Sequence, residues 1–399
     1  MLAVFQHLRP RPSAATPAPD AGGDATRTLD TILRAAATEG ASDIHFEPKE
    51  DGLLIRFRLD GEMREHLRLP VAQRDALLAR GKIFGSMDIT EKRLPQDGRA
   101  TLRNRNLRFN LRLSTLPTIH GESLVIRLLD QTMPNQSFTD LGLAVPQADA
   151  LREALAGPAG IIYLTGPTGS GKTTTLHAAL HALDHQERVI HTLEDPVEYE
   201  FPGIRQTEIR EKIGLTFATS LRALLRQNPD ILLVGETRDA ETAQLAVRAA
   251  LTGHLVLSTL HTNDALAAIP RLRDLGVESF LLAASLRLVA AQRLVRRLCP
   301  ECKEPHPDNA RLRELHRMPD ARFCRSVGCP ACRGRGYRGR LAIHEVIPAG
   351  KFLPLIAADA SHAELAALRD REGCATLWHH GLAAAAAGLT TIEQVARVL

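Results

Sequence analysis

Aromatic residues are scarce: Phe, Trp and Tyr make up 4% of the 399 residues, with a single Trp. The core must therefore rest on Leu, Ala, Val and Ile, and a basic groove lined with base-stacking rings is not in evidence. No apolar run approaches the ~20 residues that span a bilayer. The start, MLAVFQHLRPRP, has neither a long apolar core nor a small-residue cleavage site, so it reads as no signal peptide and implies a cytoplasmic chain. Charge of one sign is also lacking. A net charge of +4 does not by itself point to nucleic acid or to an anionic membrane. Cysteines number six, and four of them form two CxxC pairs, which in a reducing compartment suggest metal rather than disulfide.

What is present fits a globular chain. Hydrophobic residues are 44% and charged residues 24%, over a length that holds two domains and a small module. Residues 1–25 end in a Pro-, Ala- and Gly-rich stretch and read as a flexible leader. Residues 26–130 open with a helical pattern (Leu29, Ile32, Leu33) and continue with LLIRFRLDG and NLRFNLRLSTLP, which alternate as half-buried strands do. They read as a small mixed α/β domain. Residues 131–147 read as a linker. Residues 148–298 alternate apolar strands with helical segments, the pattern of a mostly parallel α/β sheet. Residues 299–340 carry the cysteine pairs, and 341–399 read as a largely helical tail.

Residues 161–173, IIYLTGPTGSGKT, run an apolar strand into GxxxxGKT, and a helix-like segment follows. This is a phosphate-binding loop in its proper context. Gly166, Gly169 and Gly171 let the backbone turn so that its N–H groups surround phosphate oxygens. The loop Gly166, Pro167, Thr168, Gly169, Ser170, Gly171, with Lys172, Thr173 and Thr174, is the expected ATP cradle. In it Lys172 meets the β- and γ-phosphates and Thr173 offers a hydroxyl to Mg²⁺.

Hydrolysis further requires carboxylates for metal and water. The apolar run ILLV delivers Glu236 and Asp239 beyond its carboxyl end, where ligands gather in such sheets. VIHTL delivers Glu194, Asp195 and Glu198, and HLVLSTLH carries His254 and His261 at its two ends. Any one of these is as readily a solvated strand-end group; three such strand ends after one phosphate loop point to a shared site.

Four segments, GPTGSGKTTT, TLEDPVEY, LRQNPDILLVGETRD and TGHLVLSTLHTNDA, resemble the Walker A, Asp-box, Walker B and His-box motifs of the secretion-ATPase superfamily. ASDIHFEP, RLPQDGR and LSTLPTIHGESLVIRLL are similar to stretches of its N-terminal domain, so the resemblance runs from about residue 27 to the C-terminus. It implies a PAS-like α/β domain followed by a RecA-like ATPase domain. It also implies a homo-hexameric ring in which each nucleotide lies between two domains. Glu198 looks like the carboxylate that activates water and Glu236 like the Mg²⁺-linked Walker B glutamate, although the two roles may be reversed on sequence alone. His254 and His261 look like the paired His-box residues, with His261 the γ-phosphate sensor, and Glu194 joins the ATP-binding set. Among arginines of the matching motifs (Arg93, Arg99, Arg112 and Arg127, and Arg222 and Arg226 before Walker B), the resemblance favours Arg99, Arg112, Arg222 and Arg226 as catalytic cations. Two positions depart from the family pattern: Asn228 stands where Asp is usual, and Thr237 where a bulky apolar residue is usual. About 25 linker-like residues precede the α/β domain, where extension ATPases usually carry further docking domains.

Cys299, Cys302, Cys329 and Cys332 have the spacing of a tetrahedral structural Zn²⁺ site. Cys324 and Cys374 read as ordinary side chains. By resemblance, secretion and pilus-extension ATPases carry this module and retraction ATPases generally lack it. The basic run RGRGYRGR reads as a solvated hairpin or subunit contact rather than a nucleic-acid surface. The expected function is a Mg²⁺-dependent, protein-secreting ATPase at the cytoplasmic face of the inner membrane, held there by platform and docking proteins. Its expected work is pseudopilus assembly in type II secretion, with type IV pilus extension as the alternative. A RecA-like nucleic-acid motor and a non-hydrolysing nucleotide-binding module are the rivals from other classes. Nucleic-acid-stimulated turnover would mark the first, and an ATPase assay decides the second.

Overall fold

The Asp24 side chain accepts a hydrogen bond from the Thr26 amide and so caps helix α1 (Ala25–Glu39). Leu29, Ile32, Leu33 and Ala36 fall on one buried face, and Gly40, at φ +72°, ends the helix in the left-handed region. The computed structural model describes residues 24–104, 107–130, 137–183 and 187–399, so the leader through residue 23 and linker residues 131–136 lie outside it. The chain divides into two compact units, before and after position 134.

In the first unit α1 is followed by β1 (Ala41–Lys49), β2 (Gly52–Leu59), β3 (Glu62–Pro70), α2 (Val71–Phe84), β4 (Gln96–Asn104), β5 (Leu107–Thr118) and β6 (Gly121–Asp130). The strands form an antiparallel sheet in the order β3-β2-β1-β6-β5-β4. Alternation decides the faces. Ile44, Phe46, Ile55, Phe57, Leu111, Leu113, Leu124 and Ile126 turn inward and share one core with α1 and with Leu77 and Leu78 of α2. A buried ion pair, Lys82 to Glu122 at 2.8 Å, joins α2 to β6.

The second unit runs α3 (Val145–Ala156), β7 (Gly160–Thr165), α4 (Lys172–Ala182), β8 (Ile190–Glu194), β9 (Arg205–Glu208), α5 (Phe217–Leu224), β10 (Ile231–Val234), α6 (Ala240–Leu251) and β11 (Leu255–Leu260). It continues with α7 (Ala268–Asp274), α8 (Ser279–Ser285), β12 (Leu286–Leu298), β13 (Glu304–Pro305), α9 (Asn309–Leu315), β14 (Cys324–Arg325), β15 (Tyr337–Pro348), α10 (Leu353–Ala357), α11 (His362–Arg371), α12 (Leu377–Ala386) and α13 (Ile392–Val398). The main sheet has the order β15-β12-β7-β11-β10-β8-β9 and is parallel except for β15. Because helices cover both faces of such a sheet, β7, β10 and β11 are buried along their whole length and read as unbroken apolar runs. The region 341–399 opens with strand rather than helix: LAIHEVIP completes β15, whose β-branched residues pair with β12. Helical structure follows it. Among the described residues no helix is long and apolar enough to cross a membrane.

Candidate nucleotide site and metal centre

The phosphate loop leaves β7 at Thr165 and enters α4 at Lys172. Its first glycine is forced by crowding as well as by a φ of +147°. A Cβ on Gly166 would lie 2.5 Å from the Gln292 carbonyl oxygen and 2.7 Å from Ser170 Oγ. Gly171, at φ +87°, forms the N-terminal boundary of α4, so the free amides of the first helical turn face the loop. The Lys172 ammonium donates to the Gly166 and Pro167 carbonyls at 2.6 and 3.1 Å. Burial pushes its pKa down to about 8, opposed by the charge of Glu236 and aided by that of Arg293.

Glu236 lies just beyond the end of β10 and is mostly buried. Its oxygens meet Arg238 at 2.5 Å and His261 Nε2 at 3.5 Å. His261 follows β11 on the same sheet edge. Its pKa is lowered, by burial first and then by the charge of Lys172, against the opposing charge of Glu236. Lys172, Glu236 and His261 are thus brought together. Asp239 serves another purpose, capping α6 by accepting from the Thr242 amide at 2.8 Å.

The other residues singled out above make contacts of their own. Glu194 ends β8 with both oxygens engaged internally: Thr192 and Gln206 donate to one at 2.6 and 2.9 Å, and His177 lies 3.8 Å from the other. Burial raises its pKa, but these donors outweigh it and the carboxyl is held below its ordinary value. Glu194 therefore braces β8 against α4 and β9. Glu198 follows in the loop beyond β8, half-buried. His254 lies apart from this group within the chain. It sits at the amino end of β11, its carbonyl accepting from the Gly160 amide at the start of β7, while the phosphate loop leaves the far end. One strand length, about 20 Å at ~3.3 Å per residue, separates the two edges. Its ring caps the Ala249 carbonyl instead, at 2.9 Å. Arg222 pairs with Glu241 on α6, and Arg226 donates to the Arg222 carbonyl at 2.8 Å. Among the described residues neither is bonded to the phosphate loop.

In the first unit Arg99 lies opposite Arg112 across β4 and β5, Arg112 opposite Arg127 across β5 and β6, and Arg127 opposite Asp43 on β1. Cross-strand partners share a face, and this is the face away from α1 and α2. Three arginines in a row oppose one another electrostatically. Asp43 compensates part of this through a 3.0 Å contact with Arg127. Arg93 pairs with Glu91 at 2.7 Å.

The departures at 228 and 237 are accommodated locally. Asn228 adopts φ +51°, a conformation that Asn and Asp tolerate better than other side-chain-bearing residues. The Thr237 hydroxyl, buried, meets Ser258 Oγ at 2.8 Å. Sequence reasoning missed Gln292 and Arg293 on β12. Gln292 donates to the Ser170 carbonyl at 2.9 Å and accepts from Thr175 at 2.8 Å, fastening the loop to α4.

Cys299, Cys302, Cys329 and Cys332 converge with all four sulfurs within 4.8 Å of one another. Three of the separations are 3.9, 3.7 and 3.8 Å. A tetrahedron with Zn–S bonds of about 2.3 Å has edges near 3.8 Å, so the donor set fits zinc. Burial raises the Cys332 pKa, but the Cys329 and Gly336 amides overcome it and lower the thiol to about 6, toward the ligating thiolate. Tyr337, the one ring of the basic run, is buried beneath the Arg296 guanidinium at 4.1 Å, which leaves no exposed stacking platform there.

These features coincide with what the chain resembles. The model of the type II/IV secretion system protein family matches residues 20–397. Type II secretion system protein E of Pectobacterium carotovorum subsp. carotovorum is 48% identical over 95% of this chain and 77% of its own length. Type II secretion system ATPase E of Vibrio cholerae is 45% identical, over 93% of this chain and 75% of its own. Type IV pilus assembly ATPase PilB of Myxococcus xanthus is 47% identical, over 92% and 67%. The pilus retraction motor PilT, crystallised with ADP, superimposes with a TM-score of 0.63 at 26% identity, covering 93% of this chain and 96% of that one. The Legionella pneumophila ATPase DotB, at 22% identity, shares the fold with a TM-score of 0.69 over 94% and 95%. With a phosphate loop, a Walker B carboxylate and a tetracysteine cluster set in that fold, the chain belongs to the type II/IV secretion system protein family, which includes secretion and pilus-assembly ATPases.

Proposed function

We propose that this protein is a Mg²⁺-dependent ATPase that works as a homo-hexamer in the cytoplasm, held to the inner membrane through platform and docking proteins, and drives pseudopilus assembly in type II secretion. The observation that carries the reading is the convergence of Lys172, Glu236 and His261 on one phosphate loop. Lys172 and the loop amides hold the phosphates. Thr173 and Glu236 are suited to hold Mg²⁺, which supplies charge neutralisation on the transferring phosphoryl group. Glu198 is the candidate for orienting the attacking water, with His261 sensing the γ-phosphate. The four cysteines hold a structural Zn²⁺. Glu236→Gln keeps the shape of the site while removing a charge that serves the transition state. ATP affinity is expected to stay within about threefold while turnover falls at least about a hundredfold. Steady-state phosphate release and equilibrium nucleotide binding check this, and unaltered turnover would remove Glu236 from the mechanism.

Ring assembly enters through the arginines of the first unit. Turnover per subunit is expected to rise with protein concentration, and Arg112→Ala to depress kcat far more than nucleotide affinity, because a cation acts on charge developed in the transition state. Equal kcat at every concentration in both proteins would refute this part. Type IV pilus assembly remains the second reading, favoured by the 47% identity to a PilB that is nearly the value for the secretion relatives. Disrupting the gene distinguishes them: secretion of a type II substrate fails in one case, surface piliation in the other.

A further inference from the structure

Strand β12 leads to a buried cation that no nucleotide motif contains. Ala291 pairs with Thr165, the last residue of β7, so the next two residues of β12 run alongside the phosphate loop. Arg293 is only 8% exposed. Its guanidinium donates to the Asn263 carbonyl at 2.7 Å and the Gln292 carbonyl at 3.1 Å. The same group lies 3.1 Å from where a Gly166 Cβ would stand. Among the described residues no carboxylate comes within ion-pair distance of it, although Asp264 and Glu345 act on it electrostatically from farther off. A buried charge is ordinarily paired. Here it is spent on backbone carbonyls of two segments, one beside the phosphate loop and one just after His261.

A second tie joins the segment after His261 to the end of β7. The Thr262 amide donates to Thr165 Oγ1 at 2.8 Å, and the two threonine hydroxyls lie 2.6 Å apart. The segment 261–265 is therefore anchored at Thr262 and at the Asn263 carbonyl, directly after His261. It is anchored outward as well: Asp264 meets His362 at 3.2 Å, and the Ala265 amide donates to the buried Glu345, which faces Arg369 of α11 at 3.3 Å.

The geometry points to Arg293 as a positioning residue of the phosphate site. It clamps the segment 261–265, and with it His261, against β12 where that strand runs alongside the phosphate loop. The inference rests on the ATPase reading for its consequence in turnover, but the clamp itself is a property of the folded chain. A catalytic group displaced by about 1 Å loses on the order of a hundredfold in rate, while nucleotide held mainly by loop amides and Lys172 stays bound.

The full chain carrying Arg293→Met or Arg293→Lys tests it. Methionine preserves the apolar stem and removes both donors; lysine keeps the charge and can reach one carbonyl at a time. For Arg293→Met, kcat is expected to fall by about tenfold or more, with ADP affinity within about threefold. Hydrogen exchange in the empty protein should rise in 164–170 and 261–265 together, with α6 unchanged. Arg293→Lys should restore part of both losses. Exchange left at the wild-type level in those two segments overturns the clamp, as does a rise spread over the whole second unit, which marks general loosening. Turnover of Arg293→Met equal to wild type would also overturn its positioning role. If the wild-type protein itself shows no turnover, the ATPase reading fails, and the paired exchange of 164–170 and 261–265 still decides the clamp.

Discussion

Lys172→Ala is expected to reduce ATP turnover by about a hundred- to a thousandfold, the loss typical of deleting one preorganised donor that meets charge in the transition state. The fold should survive. Residue 172 is the first of α4, and alanine has the highest helix propensity of any residue. The ammonium's partners are two loop carbonyls, Gly166 and Pro167, rather than a buried carboxylate. Its removal therefore leaves no uncompensated buried charge, unlike the loss of one member of the Lys82–Glu122 pair. Phosphate release under saturating ATP, read beside circular dichroism and thermal melting, separates the two effects. Near-normal turnover with an intact fold would overturn the assignment of the loop. Lost turnover with a lost fold would mean that the Lys172 bonds to the Gly166 and Pro167 carbonyls also hold the loop together.

The phosphate loop was legible because all its information is local: an apolar strand, a tight glycine turn and a helix start within a dozen residues. The first unit's strands were legible for a related reason, since alternation in LLIRFRLDG and NLRFNLRLSTLP reports one buried face directly. What sequence alone did not resolve depends on strand direction and distant register. His254 and His261 flank one apolar run symmetrically in the sequence, yet parallel pairing with β7 puts one at each edge of the sheet, and only His261 shares an edge with the phosphate loop. Gln292 and Arg293 sit more than a hundred residues from the loop they touch, inside a run that reads as an ordinary buried strand. Their polar atoms turn inward only because β12 pairs with β7. Arg222 and Arg226 illustrate the converse: motif proximity flagged them, but within the subunit Glu241 and a helix carbonyl take their donors.

Removing zinc is expected to unfold residues 299–336 selectively and leave the parallel sheet intact. The segment between β12 and β15 has little apolar support. Its buried side chains Ala321 and Phe323 form a small cluster with Leu382, Ala385 and Ala386 of α12. So short a stretch buries too little surface to hold itself together, and metal is the usual remedy. Four thiolates closing a tetrahedron supply about 10–16 kcal/mol of apparent binding energy in small zinc modules. The strands around the phosphate loop owe nothing to that tetrahedron: β7, β10 and β11 are covered by their own core, which includes Leu193, Val234, Ala246 and Val256. Protein purified without added metal should contain about one zinc per chain. Chelation, or Cys329→Ser, should increase hydrogen exchange and protease cleavage in 299–336 and along the facing side of α12, with ADP binding retained. Because the ligands must be deprotonated, zinc retention should weaken as pH falls. Absence of zinc with all four thiols freely reactive in the folded protein would refute the site. Loss of ADP binding on chelation would show that the module supports the nucleotide fold, contrary to the separation of their cores.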